Sequence, residues 1–510
     1  KDTNNDNIGE EGDTLHDIDD FTDTTEQGLI AQFFAIANVA APNICSYTNL
    51  QNVARQLLGN ASARMVYDFS KTPCVVVGIA REQHKNPNSP LQISFEYTDG
   101  LGKVAMKKVQ AEAGEVTMPD GSALDMPNQL RWVGTGRTVL NNKGNPIKQY
   151  EPYFSTTPAY ENDPAWVERG VSPTIYYDGT GRNIRTELPN GTFTRVTFNA
   201  WKQISYDVND TVLESDWYKE RIILPASDPE FKAAKKTEPH ANTPSIIILD
   251  TLGRPTLGVD LLNTMVDISS PIAGGGSFTF SEIDIEGNAR SVTDARGNVV
   301  MSWRNDMLGH RVAQKSMDAG KRWILNNALG NPVKTWDERE NEFSFEYDVL
   351  HRPIKSFIKD GANKLISLTE YGETHPNPKS SNLRGKVIRQ CSGSGQVKTV
   401  RYDFKGNVLA IQKQMPQDAK ANLLDWTTAS LDPTVYTQIT EYDALNRMQR
   451  LYNWHYNDPA SGTRVAVYEP TYSPRGVLQS EDLVVDAQKT VSSFAGGTRQ
   501  TVVSGITYDA

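Results

Sequence analysis

The chain has 510 residues, 38% hydrophobic and 22% charged, with plentiful glycine and proline, a profile that suits a turn-rich β protein better than a helical one. Twenty tyrosines and nine tryptophans exclude a disordered chain, because disordered chains are poor in aromatics. The net charge of −10 supplies no basic field to neutralise nucleic-acid phosphates, and no apolar run approaches the roughly 20 residues that span a bilayer.

Residues 1–27 carry ten acidic side chains, Asp2 through Glu26, against Lys1 alone. The rest of the chain is therefore close to neutral, and the acidic run reads as a solvated loop. Two helices are expected next. Residues 26–37 (EQGLIAQFFAIA) place apolar side chains at helical spacing behind a Thr25 cap. Residues 46–58 set Leu50, Val53 and Leu57 on one face and stop at Gly59-Asn60, a helix-ending signal. From Arg64 the period changes to two. Residues 64–69, 74–79 and 92–97 alternate or are β-branched, and turn residues bound each run. Cys45, Cys74 and Cys391 lie far apart, without a CxxC or a nearby histidine. They indicate neither a zinc site nor a disulfide framework and are expected to fill apolar space.

A motif then recurs: an aromatic or apolar residue, Asp or Asn, two variable residues, Gly, then Arg, Asn or Lys. Its first copy holds Asp99 and Gly102, with one residue inserted after Tyr97. Tyr177-Asp178 with Gly181-Arg182 is the full form, and Asp250 with Gly253-Arg254 follows. Asp284 with Gly287, Asp294 with Gly297, Asp306 with Gly309 and Asn327 with Gly330 continue the series. Tyr347-Asp348 with Arg352, Tyr402-Asp403 with Gly406, and Tyr442-Asp443 with Arg447 come later, and Tyr508-Asp509 is one more copy, cut short.

The physics of the motif is a hairpin turn. The Asp or Asn can bond backbone two residues on, and the Gly accepts the positive φ of a tight turn. His351 and Asn446, which replace that Gly, belong to residue types enriched at positive φ. The Arg or Asn starts the returning strand, and the Tyr can pack on the neighbouring hairpin. From Asp284 to Asp348 the turns fall about 10 to 20 residues apart, one or two strands per repeat, and such repeats bury apolar surface only by stacking on neighbours.

Residues 61–510 therefore read as one repeat body truncated at both ends. Insertions fall near 207–242, with a short helical stretch near 228–236, and near 412–437. Residues 1–60 form an acidic loop and helical insertion ahead of it. The opening KDTNNDN shows no signal-peptide pattern and the final ITYDA stops within a repeat, as in an excised fragment.

The Tyr-Asp-x-x-Gly-Arg array resembles the YD repeat of Rhs proteins. The segments RWVGTGRTVLNNKGNPIKQYEPYFS (131–155), YDVNDTVLESDWY (206–218), NLRGKVIRQ (382–390), YDFKGNVL (402–409) and EYDALNR (441–447) narrow this. They resemble the TcB/TcdB-like B component of insecticidal Tc toxin complexes and related SpvB-type toxins, over about residues 57–510. The resemblance implies a mostly β fold. Its YD-repeat hairpins would form a long antiparallel sheet wound into a hollow shell, or cocoon, with short helices near the N-terminus and in insertions. It also implies a bacterial virulence protein, secreted or extracellular within a toxin complex. In that family the B and C components enclose a cytotoxic polypeptide before translocation through the A component. The implied partners are thus the C component with its cargo, and the A component through regions that no segment here resembles. The autoproteolytic residues of the C component carry over to no position.

No HExxH, GxSxG or P-loop occurs, and none of the seven histidines pairs with another at ligand spacing; the expectation is a non-catalytic structural chain without cofactor or metal. Gly134-Thr135-Gly136 lacks the third glycine of a nucleotide loop. Asp207, Asn209 and Asp210 have calcium-ligand chemistry, but the EF-hand spacing and closing Glu are missing. Trp132, Trp201, Trp303 and Trp323 support an alternative, an extracellular YD-repeat module that binds a glycan or receptor, although such residues more often anchor sheet packing.

Overall fold

The structure, a computed structural model, describes residues 24–84, 86–100, 102–261, 276–418, 420–456, 463–489 and 494–510. The acidic run up to residue 23 and Leu101 of the first expected turn lie outside the described residues. The chain is mostly β, with long antiparallel sheets and few short helices, as the sequence leads one to expect. No helix among the described residues is long and apolar enough to cross a membrane.

Two compact units divide it. The first comprises Lys1–Arg137, Tyr150–Gly170 and Leu365–Ala510; the second, Thr138–Gln149 and Val171–Lys364. The first ten strands are β1 (Ala63–Asp68), β2 (Cys74–Arg81), β3 (Leu91–Thr98), β4 (Val104–Ala111), β5 (Gly114–Thr117), β6 (Ala123–Met126), β7 (Arg131–Gly134), β8 (Thr138–Leu140), β9 (Pro146–Gln149) and β10 (Tyr153–Ser155).

In the first unit β1, β2, β3, β4, β7 and β10 form a six-stranded sheet in that order, while β5 and β6 make a separate hairpin. Helix α1 (Thr24–Ala37) and helix α2 (Tyr47–Leu58) pack on it. The amphipathic spacing of α2 buries Leu50, Val53, Ala54, Leu57 and Leu58, and Gly59, at φ 54°, ends the helix with its N–H on the Arg55 carbonyl. Buried and half-buried residues alternate along β2 and β3, the mark of strands with one face on a core. Phe33 of α1 stacks on Phe95 of β3 with ring centroids 6.0 Å apart, and Phe95 meets Trp132 of β7 edge-on at 5.4 Å. The helices that precede the strands in sequence thus share one core with them.

The first unit also contains a strand run from β25 (Ala362–Tyr371) to β32 (Leu478–Lys489), each strand antiparallel to the next. There β32 pairs with both β33 (Phe494–Ala495) and β34 (Thr498–Val503).

In the second unit β8 pairs with β9 and β9 with β11 (Thr174–Tyr177). From β11 to β24 (Pro353–Asp360) every strand is again antiparallel to its successor. After the one-turn α3 (Pro164–Val167) of the first unit, the chain leaves the second unit's sheet between Tyr206 and Ser245 through α4 (Asp216–Ile222), capped by Ser215, and α5 (Pro229–Thr237), capped by Asp228. The sequence marks α5 but not α4, whose seven residues DWYKERI show no apolar period. This unit is thin. Between Val259 and Leu365 no described apolar side chain is fully buried, so these strands carry no close-packed core on either face.

Candidate functional site: the repeat turns

Each repeat turn is closed by the same small set of bonds. At Asp178 the backbone N–H donates to the Arg182 carbonyl at 2.9 Å, and the Gly181 N–H donates to the Asp178 carbonyl at 3.0 Å. The Asp178 Oδ1 accepts the N–H groups of Thr180 (2.9 Å) and Arg182 (3.0 Å), while Oδ2 accepts Arg182 Nε at 2.8 Å. Gly181 stands at φ 87°, the left-handed region that an L residue enters at a cost. Asp250 with Arg254, Asp348 with Arg352 and Asp443 with Arg447 repeat the side-chain bond at 2.7, 2.7 and 2.6 Å. Asn288, Asn298 and Asn407 donate an amide to Asp284, Asp294 and Asp403 at 3.1, 3.1 and 2.8 Å. At Asp306 the partner is His310 Nδ1, 3.2 Å away. His351 and Asn446 take the glycine place at φ 59° and 63°.

At Asp99 the Gly102 N–H donates to the Asp99 carbonyl and the Lys103 N–H to its Oδ1, at 3.1 and 2.8 Å. The hydrogen bond from the Thr180 hydroxyl, reinforced by Arg182, holds the Asp178 carboxyl well below the usual carboxylate range, and the Asn298 amide does the same for Asp294.

Three further turns escape the sequence reading. Asn141 to Asn145 closes in the same way, with Asn145 N–H on Asn141 Oδ1 at 3.0 Å; Leu140-Asn141-x-x-Gly144-Asn145 fits the motif as it stands and is overlooked in that reading. Ser473 to Val477 closes through Gly476. Asp337 to Asn341 places Glu340 at φ 66°, and nothing in that residue type announces a left-handed position.

The turns are also stitched to one another. Tyrosine hydroxyls donate to the carbonyl of the first strand residue after the preceding turn on the same sheet edge. The pairs are Tyr177 to Pro146 (2.8 Å), Tyr347 to Pro332 (2.8 Å), Tyr402 to Val387 (2.9 Å), Tyr472 to Met448 (2.9 Å) and Tyr508 to Leu478 (2.7 Å). The Tyr of the motif is therefore a tie between hairpins, and the neighbour-dependence of the repeat has a concrete atom behind it.

Within the first unit the rim of the six-stranded sheet is seated on such turns. The Ala444 N–H donates to the Glu82 carbonyl at 2.9 Å, and Arg447 pairs with Glu82 at 3.3 Å. Gln92 and Gln110 both donate to the Pro474 carbonyl, at 2.9 and 2.8 Å. Asp443, Ala444 and Ser473 are buried as a result.

The other residues singled out by sequence are not brought together. Trp132 is fully buried in the first unit's core, and Trp201 is exposed on a turn. Trp303 pairs in register with Gln314, whereas Trp323 pairs with Ala313 and Trp336, so Trp303 and Trp323 face opposite sides of the sheet. Asp207 Oδ1 accepts the N–H groups of Asn209 and Asp210, and Asp210 accepts that of Thr243, so this loop uses its own oxygens. Among the described residues no group of His, Cys, Asp and Glu is arranged to hold a metal. Cys45 and Cys391 are buried and Cys74 half-buried, all as free thiols, and burial pushes the Cys45 thiol up to about 12.

The Gly134-Thr135-Gly136 glycines serve packing. A Cβ on Gly134 would meet the Tyr153 ring at 2.9 Å, and one on Gly136 would overlap the carbonyl oxygens of Tyr150 and Glu151. Gly136→Ala is expected to destabilise the first unit by about 2–4 kcal/mol, because backbone must move. Gly100→Ala, whose Cβ would meet nothing within 4 Å, serves as the control. Urea midpoints check this, and equal midpoints for the two variants would refute the close approach.

No protein-family model and no curated protein sequence matches the chain. Solved structures do. The chain is similar to the TcdB2-TccC3 complex, with a TM-score of 0.71 at 20% identity, over 88% of this chain and 21% of that one. It is similar to TcdB2-TccC3-Cdc42, with a TM-score of 0.69 at 19% identity, over 97% and 23%. It is also similar to the Photorhabdus luminescens Tc holotoxin pore with a point mutation in TccC3, with a TM-score of 0.71 at 18% identity, over 97% and 22%. The chain has the fold of a stretch of these structures and spans about a fifth of the length of the chains it matches.

Proposed function

We propose that this chain is a stretch of container wall in the B component of a Tc-type toxin complex, a structural and non-catalytic element. In this reading the wall, completed by a C component, encloses a cytotoxic polypeptide and keeps it from proteases and from the producing cell until translocation through an A component. The protein acts outside the bacterial cell as part of that complex. One observation carries the reading: the second unit is a sheet stitched turn to turn, without a close-packed core on either face from Val259 to Leu365. A sheet that only needed to fold would bury one face against a second layer. A sheet that only separates two spaces needs continuous backbone pairing and no second layer packed on either face. The likeness in fold to TcdB2-TccC3 supports the choice of container.

The deciding experiment is cryo-EM of the parent protein bound to its C component. A closed shell with this chain in its wall and diffuse density inside is the expected result. A solid body, or an open one that leaves the cargo digestible by protease, would overturn containment.

A further inference from the structure

The turns of the second unit differ between the two edges of its sheet. Those closed by Asp250, Asp284, Asp306, Asn327 and Asp348 share one edge, because two strands separate each from the next. Neighbours along this edge touch. Arg254 donates to the carbonyls of Asp284 and Ile285, both at 3.1 Å, and Tyr347 donates to the Pro332 carbonyl at 2.8 Å. Two strand spacings put successive tips about 10 Å apart. The tips are apolar and bare: Leu252 is 68% exposed, Ile285 88%, Met307 96%, Leu308 78%, Val349 94% and Leu350 64%.

Hairpin closure does not call for this. The bonds that close each of these turns use the Asp or Asn, the left-handed residue, its successor and the backbone N–H of the second central residue. The apolar side chains at the two central positions take no part in them. On the opposite edge the turns closed by Asp294 and Asp337 carry Arg296, Glu338 and Arg339, and the tighter turn between them carries Asp318 beside an exposed Met317. A row of exposed apolar side chains concentrated, among the described residues, on one edge marks an interaction surface.

The first unit shows what covers such tips. Ala444 is buried where its N–H meets the Glu82 carbonyl at the rim of the six-stranded sheet. The adjacent turn, joined through Asn407 to Asn446 at 2.9 Å, sets Phe404 edge-on to His84 with centroids 5.4 Å apart. The cover is the loop-bearing rim of a β-sheet.

We propose that the apolar edge of the second unit is a protein-docking rim whose occupant is the rim of another β-sheet. The partner's identity rests on the wall reading: it is a further stretch of β-wall in the assembled B–C complex. A lipid surface fits less well. The exposed tip positions of this edge carry no Lys or Arg, Glu286 stands among them, and a carboxylate or amide closes every turn beneath, so an anionic bilayer finds no counter-charge.

The test uses the full parent protein assembled with its C component. Single cysteines replace Met307 or Val349 on the apolar edge, in a Cys74→Ser background. These side chains point into solvent, so the variants retain the fold, which is checked by an unchanged melting temperature. Labelling with polyethylene-glycol maleimide is followed against glutathione as a freely accessible thiol. At least tenfold protection of Met307→Cys and Val349→Cys in the complex is expected. Labelling at the glutathione rate would overturn the proposal. So would protection that appears only when phosphatidylcholine–phosphatidylglycerol vesicles are added, which would assign the edge to a membrane. Protease resistance of the cargo, read on the same sample, separates the two ideas. Protected cargo with bare tips sinks the docking rim alone, and digested cargo with protected tips sinks containment alone.

Discussion

Glu161→Leu is expected to lower the stability of the first unit by about 3–5 kcal/mol, the usual cost of stranding one partner of a buried ion pair. Lys108 of β4 has no solvent exposure, and its Nζ donates to Glu161 Oε2 at 2.5 Å and to the Thr157 carbonyl at 3.1 Å. The same carboxylate accepts the Tyr153 hydroxyl at 2.5 Å and Ser155 Oγ at 2.7 Å. Removing it leaves a buried ammonium with one carbonyl, the Ser155 hydroxyl with only the Thr157 carbonyl at 3.2 Å, and the Tyr153 hydroxyl with only the Met106 sulfur at 3.9 Å. Lys108→Met combined with Glu161→Leu should recover much of the loss, since apolar pairs of similar volume often replace buried ion pairs without penalty. The double-mutant cycle measures the coupling. The exposed pair next door, Lys107 with Glu96 at 2.6 Å, should contribute no more than about 1 kcal/mol.

The same cluster predicts a pH dependence of definite sign. Burial, opposed by the pull of Glu161, pushes the Lys108 amine down to about 8, whereas in the unfolded chain it titrates near 10.4. Between those values the unfolded state binds more protons, so stability rises with pH. The penalty of the buried charge is fully present below pH 8 and relieved as pH climbs toward 10. Burial, first among the causes, raises the Tyr97 and Tyr153 hydroxyls. Above about pH 10 these therefore ionise only in the unfolded chain, and stability falls again. In a Cys45→Ala background, which removes a buried thiol that ionises only in the unfolded chain above about pH 8.5, urea midpoints at pH 7, 8.5 and 9.5 should rise when Lys108 is present and stay below that rise in Lys108→Met. A flat parent would mean that water reaches the pair.

What the sequence reveals and what it hides follow from the range of each interaction. The turn at Asp178 was legible because the acceptor carboxylate, the left-handed Gly181 and the donor Arg182 lie within five residues and name their roles by type. Helix α2 was legible because Leu50, Val53 and Leu57 return every turn. The Lys108–Glu161 pair was not, since its members sit on separate elements and neither window departs from ordinary strand or loop composition. The burial of Asp443 was equally hidden. Its repeat reads like the rest, and only the position of Glu82 across the fold sets it apart. The apolar edge needed one further step. Strand parity assigns each turn to an edge, and parity can be counted only once every strand, including those around the excursion with α4, has been placed.

That difference between equivalent turns gives the second large effect. Asp443→Ala should cost about 2–4 kcal/mol, well beyond the same change at Asp294. Asp443 is almost fully buried, accepts the N–H groups of Leu445 (2.9 Å) and Arg447 (2.8 Å), and holds Arg447 Nε at 2.6 Å. Arg447 is itself mostly buried, pairs with Glu82 at 3.3 Å and lies over the Tyr472 ring at 4.4 Å. Alanine removes a charge-assisted bond worth about 1.5–3 kcal/mol and leaves a buried donor without an acceptor. It also loosens the seat of the six-stranded sheet. Asp294 closes an exposed turn with a neutral amide partner at 3.1 Å, and water replaces its bonds there. Thermal melts of the two variants decide the matter, with hydrogen exchange at residues 81–84 as a second readout. A clearly lower melting temperature and faster exchange for Asp443→Ala alone would make this turn a clamp between sheet and repeat array. Equal shifts would reduce it to one hairpin among many, and the rim contact that serves as precedent for the apolar edge would lose its energetic basis.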